Sequence, residues 1–303
     1  MRRALLPMSA ALLVSFGPAA CGDGDASAPA ADVLVADTAP VDAVTADTTA
    51  DSDAAISDTP CAVTTGPDGA PVSCIAGRLV DRDGAPVVGV KVSACTLTTC
   101  IIGQSVADGR YTVTKLPVEP HKVEILGEVK GYATFVFHQP TRAGVLSTAP
   151  WDIVLPLKTD DATPWLPAEG GTASLLDGAI AVTAAPGALR YPLGTVDKAI
   201  SVLAVAPEDL PPYDLTPWVG HEPESLAFYF GPFPILSDAP LGLEVRGPAG
   251  VADGARYDVY AAHHLTARLE RVGGATADAA GVLTLDADAA LMTLSTLVLV
   301  PRD

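Results

Sequence analysis

"CIAGRLVDRDGAPVVGVKVSAC" runs from Cys74 to Cys95. It reads as a short strand, a turn at Asp83-Gly84 and a second strand, because Asp-Gly between β-branched residues supplies the backbone that a reversal needs. Further along, "VADGRYTVTKLP" (106–117) repeats the device. Asp108-Gly109 turns the chain, and Tyr111 and Val113 then alternate with Thr112 and Thr114. "HKVEILGEVKGYATFVFHQP" (121–140) keeps alternating, and "WDIVLPL" (151–157) closes the segment. Short strands at regular spacing with turn signals predict a β-sandwich.

The rest of the chain is built in the same way. "TPWLPAEGGTASLLDGAIAVTAAPGAL" (163–189) opens with a Pro-bounded linker. "KAISVLAVAPEDLPPY" (198–213) reads as a strand with an exit loop. "ARYDVYAAHH" (255–264), "ARLERVGG" (267–274), "GVLTLDAD" (281–288) and "STLVLVP" (295–301) add further strands, and their apolar alternation favours antiparallel sheets. The chain contains no Asn, so its tight turns fall to Asp-Gly, at 68–69, 83–84, 108–109, 177–178 and 253–254. The predicted class is all-β: two β-sandwich domains, 61–158 and 165–303, after a signal peptide and a disordered acidic linker.

The N-terminal 60 residues have a different composition. Arg2 and Arg3 precede the apolar run "ALLPMSAALLVSF" (4–16), which has signal-peptide length and is too short to span a bilayer. Small residues Ala19 and Ala20 then lead into Cys21. Residues 22–60 contain no Lys, Arg, Phe, Tyr or Trp. Asp32, Asp37, Asp42 and Asp47 recur there at a step that fits neither helix nor strand. Such a segment has little to offset its ordering entropy, so 21–60 is expected to be a disordered tether behind a signal peptide at 1–20.

Cys61, Cys74, Cys95 and Cys100 are even in number, and in an exported chain they form disulfides by default. Three connectivities are open. The two local pairs, Cys61–Cys74 and Cys95–Cys100, are favoured, since "ACTLTTC" (94–100) reads as strand, short loop, strand. The cysteine spacings suit neither zinc nor a redox pair.

Several of these motifs resemble known families. Ala19, Ala20 and Cys21 resemble the lipobox of bacterial lipoproteins, with Pro18 where that family usually carries Leu. The resemblance implies acylation of Cys21 and a membrane held through an N-terminal lipid anchor. Gly22 after the cysteine implies the outer membrane, on its periplasmic or cell-surface side. Gly77, Val80, Asp81, Gly84, Pro86, Val87, Gly89, Val90 and Val92, then Asp108, Gly109, Arg110 and Tyr111, then Lys130, Gly131 and Tyr132, are similar to the carboxypeptidase regulatory-like domain. That family is a transthyretin-like sandwich, so the resemblance implies a structural or binding module, and related sandwiches sometimes bind carbohydrate. Gly170, Gly171, Gly178, Pro186, Gly187, Ala188 and Leu189 resemble the start of the ZU-type β domain of netrin receptors, ankyrins and zonula occludens proteins. The His-Phe-Ser sequence at which some members of that family cleave themselves is absent, so no autoproteolysis is expected.

Chemistry is sparse in the sequence. The 18 Lys and Arg against 36 Asp and Glu, for a net charge of -18, argue against a nucleic-acid partner. His263-His264 is expected to be structural or exposed rather than a metal site, because neighbours on a strand point to opposite faces and the pair lacks a third ligand. His121, His138 and His221 stand alone, and "GQSVA" around Ser105 lacks the second glycine of a nucleophile elbow. Asp160-Asp161, Glu222 and Glu224 read as solvated loop charge. Trp151, Trp165 and Trp218 each neighbour a proline and are expected to serve core or interdomain packing rather than a sugar-stacking platform. No catalytic residue, metal ligand or cofactor is expected. The chain is expected to be a non-catalytic, lipid-anchored envelope or cell-surface binding or structural module with an unknown protein or glycan ligand. A carbohydrate-binding lipoprotein is the alternative, and a hydrolase ranks last.

Overall fold

The structure, a computed structural model, describes residues 56–158, 162–165, 167–211, 213 and 224–302. Residues 1–55, where a signal peptide, the acylated Cys21 and most of a tether were expected, lie outside the described residues, as do Asp160, Asp161, Trp218, His221 and Glu222. Among the described residues every element is a strand except two short 3-10 turns, Glu128–Lys130 and Pro207–Asp209.

Nine strands make a first sandwich. One sheet has the order β1 (Ile56–Pro60), β8 (Val145–Thr148), β2 (Ser73–Val80), β5 (Arg110–Leu116), with β9 (Ile153–Val154) running parallel to the end of β2. The facing sheet has the order β4 (Cys100–Gln104), β3 (Lys91–Cys95), β6 (His121–Leu126), β7 (Phe135–Gln139). The alternation read from the sequence sets the inward face: Tyr111, Val113 and Leu116 of β5 and Val123 and Ile125 of β6 are buried.

The tether was expected to run to Pro60, but its last five residues form β1. That strand pairs antiparallel with β8, Ile56 opposite Ser147 and Pro60 opposite Val145. A sheet edge offers unpaired N–H and C=O groups. The next residue, Cys61, is pinned by its disulfide to Cys74 and by its N–H to the Gly144 carbonyl at 2.9 Å.

The turns also differ from a plain hairpin reading. Asp83-Gly84 does reverse the chain: the Asp81 carboxylate accepts from Asp83 N–H at 3.0 Å and Ala85 N–H at 2.8 Å. However, β2 and β3 enter opposite sheets, so this turn is a crossover between layers. Asp108-Gly109 likewise carries the chain from β4 into β5 of the other sheet. Asp-Gly specifies a tight reversal but not which strand the next segment will pair with.

The second sandwich begins with β10 (Ala162–Pro164), β11 (Gly171–Leu175), β12 (Ile180–Ala184), β13 (Leu189–Arg190) and β14 (Ala199–Val205). It continues through β15 (Leu226–Gly231), β16 (Ile235–Ser237), β17 (Gly242–Arg246) and β18 (Arg256–Ala262). The last strands are β19 (Leu269–Ala277), β20 (Val282–Leu285), β21 (Thr293–Leu294) and β22 (Thr296–Pro301). Ten of these form one antiparallel sheet, β10-β14-β15-β22-β18-β19-β20-β17-β12-β11, and the other three form β13-β16-β21. The long sheet folds over itself, since its central and terminal strands fill one core: Ala173, Val182, Ile200, Phe230, Val259, Leu283 and Leu299 all meet there. Asp177-Gly178 is the Asp-Gly pair that joins two paired strands, β11 and β12.

Strands β15 and β22 are buried on both sides. Phe228, Phe230, Leu297 and Leu299 point into the second core. The alternating residues Ala227, Tyr229, Val298 and Val300 join the core of the first sandwich instead. The described residues from 56 onward therefore form one compact unit. Its seam centres on Glu128, whose carboxylate accepts from the Tyr229 hydroxyl and, at 3.1 Å, from Phe233 N–H. Phe135 packs edge-on against Tyr229 with ring centroids 5.8 Å apart, an arrangement worth about 0.5–1.5 kcal/mol beyond area burial. Arg82 adds a bond to the Ala204 carbonyl at 3.1 Å and an ion pair with Asp209 at 3.6 Å.

One motif glycine has a direct packing cause. Gly77 stands opposite Tyr111 on the β2–β5 ladder, and a Cβ there would lie 2.5 Å from the Tyr111 hydroxyl. The phenol occupies the space that any side chain at 77 would need. Gly77→Ala is therefore expected to destabilise the fold by about 1–3 kcal/mol through overpacking. Tyr111→Phe, which removes a buried hydroxyl that has no partner, should leave stability unchanged or raise it slightly. Urea unfolding of both variants checks this, and a neutral Gly77→Ala would refute the steric account.

Candidate functional site

Two open clefts carry the candidate chemistry. The first, of about 380 Å³, lies on the outer face of the β8-β2-β5 sheet beneath the 149–152 loop. Direct cross-strand pairing builds its floor: Ala76 sits between Thr148 of β8 and Thr112 of β5. In the next row Arg78 faces Arg110. Like charges directly opposite each other are unfavourable, and two carboxylates offset this pair. Arg78 donates to Asp152 at 2.6 Å and to the Asp108 carbonyl at 3.1 Å, and Arg110 lies 3.4 Å from the Asp108 carboxylate. Trp151 forms a wall and is 42% exposed. Its indole N–H is held by the Leu210 carbonyl at 3.3 Å, so the indole surface left open is carbon. Tyr111 also borders the cleft, although its ring packs in the inward core.

The second cleft, of about 370 Å³, is lined by the end of β18, by β19, and by Arg190, Asp238 and Met292. It contains His263 and His264. The expectation that these rings face apart does not hold, because both residues lie just beyond the end of β18, in a turn free of strand alternation. Their ring centroids are 5.0 Å apart. His263 Nδ1 accepts from Thr266 N–H at 3.3 Å and lies 3.9 Å from the Glu270 carboxylate. The same carboxylate accepts from the Thr266 hydroxyl at 2.9 Å. Burial, then His263 and Lys122, push the His264 pKa down against the opposing pull of Glu270. Arg190 is paired with Asp238 at 2.6 Å. Among the described residues no group of three or more His, Cys, Asp or Glu could hold a metal ion.

The remaining sequence candidates are separated. Cys61–Cys74 and Cys95–Cys100 are disulfides, with Cα separations of 5.9 and 4.0 Å. Ser105 is buried and accepts the Val90 N–H at 3.0 Å, which is a structural task. Trp165 is buried in the second core. Glu224 is exposed. Sequence reasoning gave no site role to Arg78, Arg110, Thr112, Thr148 or Asp152, although Arg110 and Thr112 entered it as motif and strand residues. The alternation in β2 and β5 places the first three on an outward face, but the pairing that groups them is non-local. Trp151 was expected to serve core or interdomain packing; its indole N–H does reach Leu210 of the second half, while part of the ring stays exposed.

No known family model matches the chain, and no curated protein matches its sequence. Solved structures align over long stretches at low similarity. A DUF3823 family protein from Bacteroides ovatus is 10% identical with a TM-score of 0.22, covering 55% of this chain and 92% of its own. The full-length major pilin SpaD from Corynebacterium diphtheriae is 13% identical at 0.22, covering 75% and 82%. A candidate carbohydrate binding protein from Bacteroides uniformis is 13% identical at 0.19, covering 54% and 88%. Likenesses this slight carry no functional argument.

His121 makes acid sensitivity a testable property of the fold. It is fully buried at the start of β6, and neither ring nitrogen reaches a partner in hydrogen-bonding geometry. Burial pushes its pKa down, Glu119 opposes this through its backbone and charge, and His138 adds to the lowering. The unfolded chain, with histidine near ~6.5, takes up the proton first. Stability is therefore full above that value and falls as pH drops toward the lowered folded pKa. Urea midpoints between pH 7.5 and 5 should fall more steeply for the natural chain than for His121→Phe. Parallel slopes would remove His121 as the cause.

Proposed function

We propose that this chain is an exported surface lipoprotein whose head is a non-catalytic binding or structural module. The observation that carries the reading is the double burial of β15 and β22, which joins the disulfide-bearing first sandwich and the second sandwich into one body. A seam of aromatic packing and charged hydrogen bonds suits a head that must hold its surface in a fixed shape. The disulfides fit an oxidising compartment. The polar groups in both clefts are already engaged with one another: Arg78 with Asp152, Arg190 with Asp238, His263 with Thr266. Such pairing suits recognition better than proton transfer, which needs a group poised toward a substrate. In this reading Cys21 carries the acyl anchor and residues beyond it space the head from the membrane. Several acyl chains on one residue, at about 0.8 kcal/mol per buried methylene, would hold it stably.

Detergent phase partition of the full chain, expressed in a bacterial host that processes lipoproteins, tests the anchor. The natural chain should enter the detergent phase and Cys21→Ser should move to the aqueous phase. Recovery of both in the aqueous phase would overturn the anchored reading.

A further inference from the structure

We infer that the cleft beneath Trp151 is a binding site for a neutral saccharide, an assignment that deepens the surface-binding reading and rests on it. The first argument is chemical. A sugar presents hydroxyls that both donate and accept, alongside an apolar C–H face. This cleft presents both kinds of surface together. The Thr112 and Thr148 hydroxyls make no hydrogen bond among the described residues, and they flank Ala76, whose methyl leaves the floor shallow. Arg110 supplies donors at the mouth, and the Asp152 carboxylate supplies an acceptor already held in place by Arg78. Trp151 supplies a carbon surface whose polar edge is turned to Leu210.

The second argument is charge. Each arginine in the cleft has its own carboxylate, Arg78 with Asp152 and Arg110 with Asp108. The site therefore offers hydrogen bonding without net charge. An anionic ligand would have to displace a carboxylate, and it would approach a chain of net charge -18. A neutral ligand meets neither obstacle. The third argument is rigidity. The unfavourable Arg78–Arg110 juxtaposition is braced: Arg78, Arg110, Thr112 and Thr148 stand on paired strands, and the loop residues Asp152 and Trp151 are tied to Arg78 and to the Leu210 carbonyl. Size agrees as well, since about 380 Å³ accommodates one or two sugar rings and the open side lets a polymer run on.

The test is calorimetric titration of the full chain with dextran, mannan, xyloglucan and laminarin, with polygalacturonate and alginate as charged counterparts. Saturable binding to a neutral polysaccharide is expected. Trp151→Ala should weaken it about tenfold or more, and Trp151→Phe, which keeps an aromatic face but loses the bond to Leu210, should weaken it less than Trp151→Ala does. Arg110→Gln, at an exposed side chain that leaves the fold intact, should weaken binding about threefold or more, so the assignment does not depend on the behaviour of Trp151→Ala alone. The inference fails if no neutral polysaccharide binds, if the anionic ones bind more tightly, or if binding is indifferent to Trp151 and Arg110. That failure leaves the detergent-partition result standing, because the anchor is read independently of any sugar.

Discussion

Strands β15 and β22 have no solvent face, and much of the remaining structure follows from that constraint. A strand in a free-standing sandwich keeps one polar side. Here Phe228 and Phe230 fill one core while Ala227 and Tyr229 fill another. Tyr229 then brings a hydroxyl into a nearly dry seam, and a buried hydroxyl without a partner is costly. Glu128 resolves this by accepting from Tyr229 and from Phe233 N–H, with Lys158 within 4.0 Å. Burial, and after it the Glu128 carboxylate, push the Tyr229 pKa far upward, so the phenol remains a donor. The short turn bearing Glu128 is thus positioned by the needs of a strand about a hundred residues later.

Local structure was legible in the sequence. Asp-Gly turns, the alternation of β5 and β6 and the Cys95–Cys100 hairpin all depend on neighbours a few residues apart. Gly77 was legible as a motif residue, and its cause, the Tyr111 ring across the ladder, is a single cross-strand contact. What escaped was partner choice. Asp83-Gly84 reverses the chain, yet β2 pairs with β5 and β8 while β3 pairs with β4 and β6. One signal of the seam was present and passed over. "LVLV" at 297–300 is an unbroken apolar run rather than an alternating one, and such a run indicates a strand covered on both faces. "AFYF" at 227–230 carries the same mark.

The candidate site was less legible, because neither cleft is built from a contiguous motif. Ala76, Thr112 and Thr148 are dispersed in sequence and become a row only through ladder register. His263-His264 misled for a related reason. The argument that adjacent rings point apart requires a strand, and β18 ends at Ala262. Two residues of boundary decide whether the pair is split or gathered, and element boundaries are where pattern reading is weakest.

Both clefts also border the seam, which links architecture to recognition. The Trp151 indole is held by the Leu210 carbonyl from the second half of the chain. The His264 carbonyl is held by Lys122 of the first half at 3.2 Å. Neither wall would be fixed in a sandwich standing alone: Trp151 would lose its only polar anchor among the described residues, and the His264 turn would lose Lys122. The fusion that buries β15 and β22 therefore does more than add stability. It sets the orientation of one aromatic wall and one histidine turn, so the shape of each candidate cleft depends on both halves being docked. A ligand that binds either cleft would, by linkage, favour the docked body over any state in which the seam has opened.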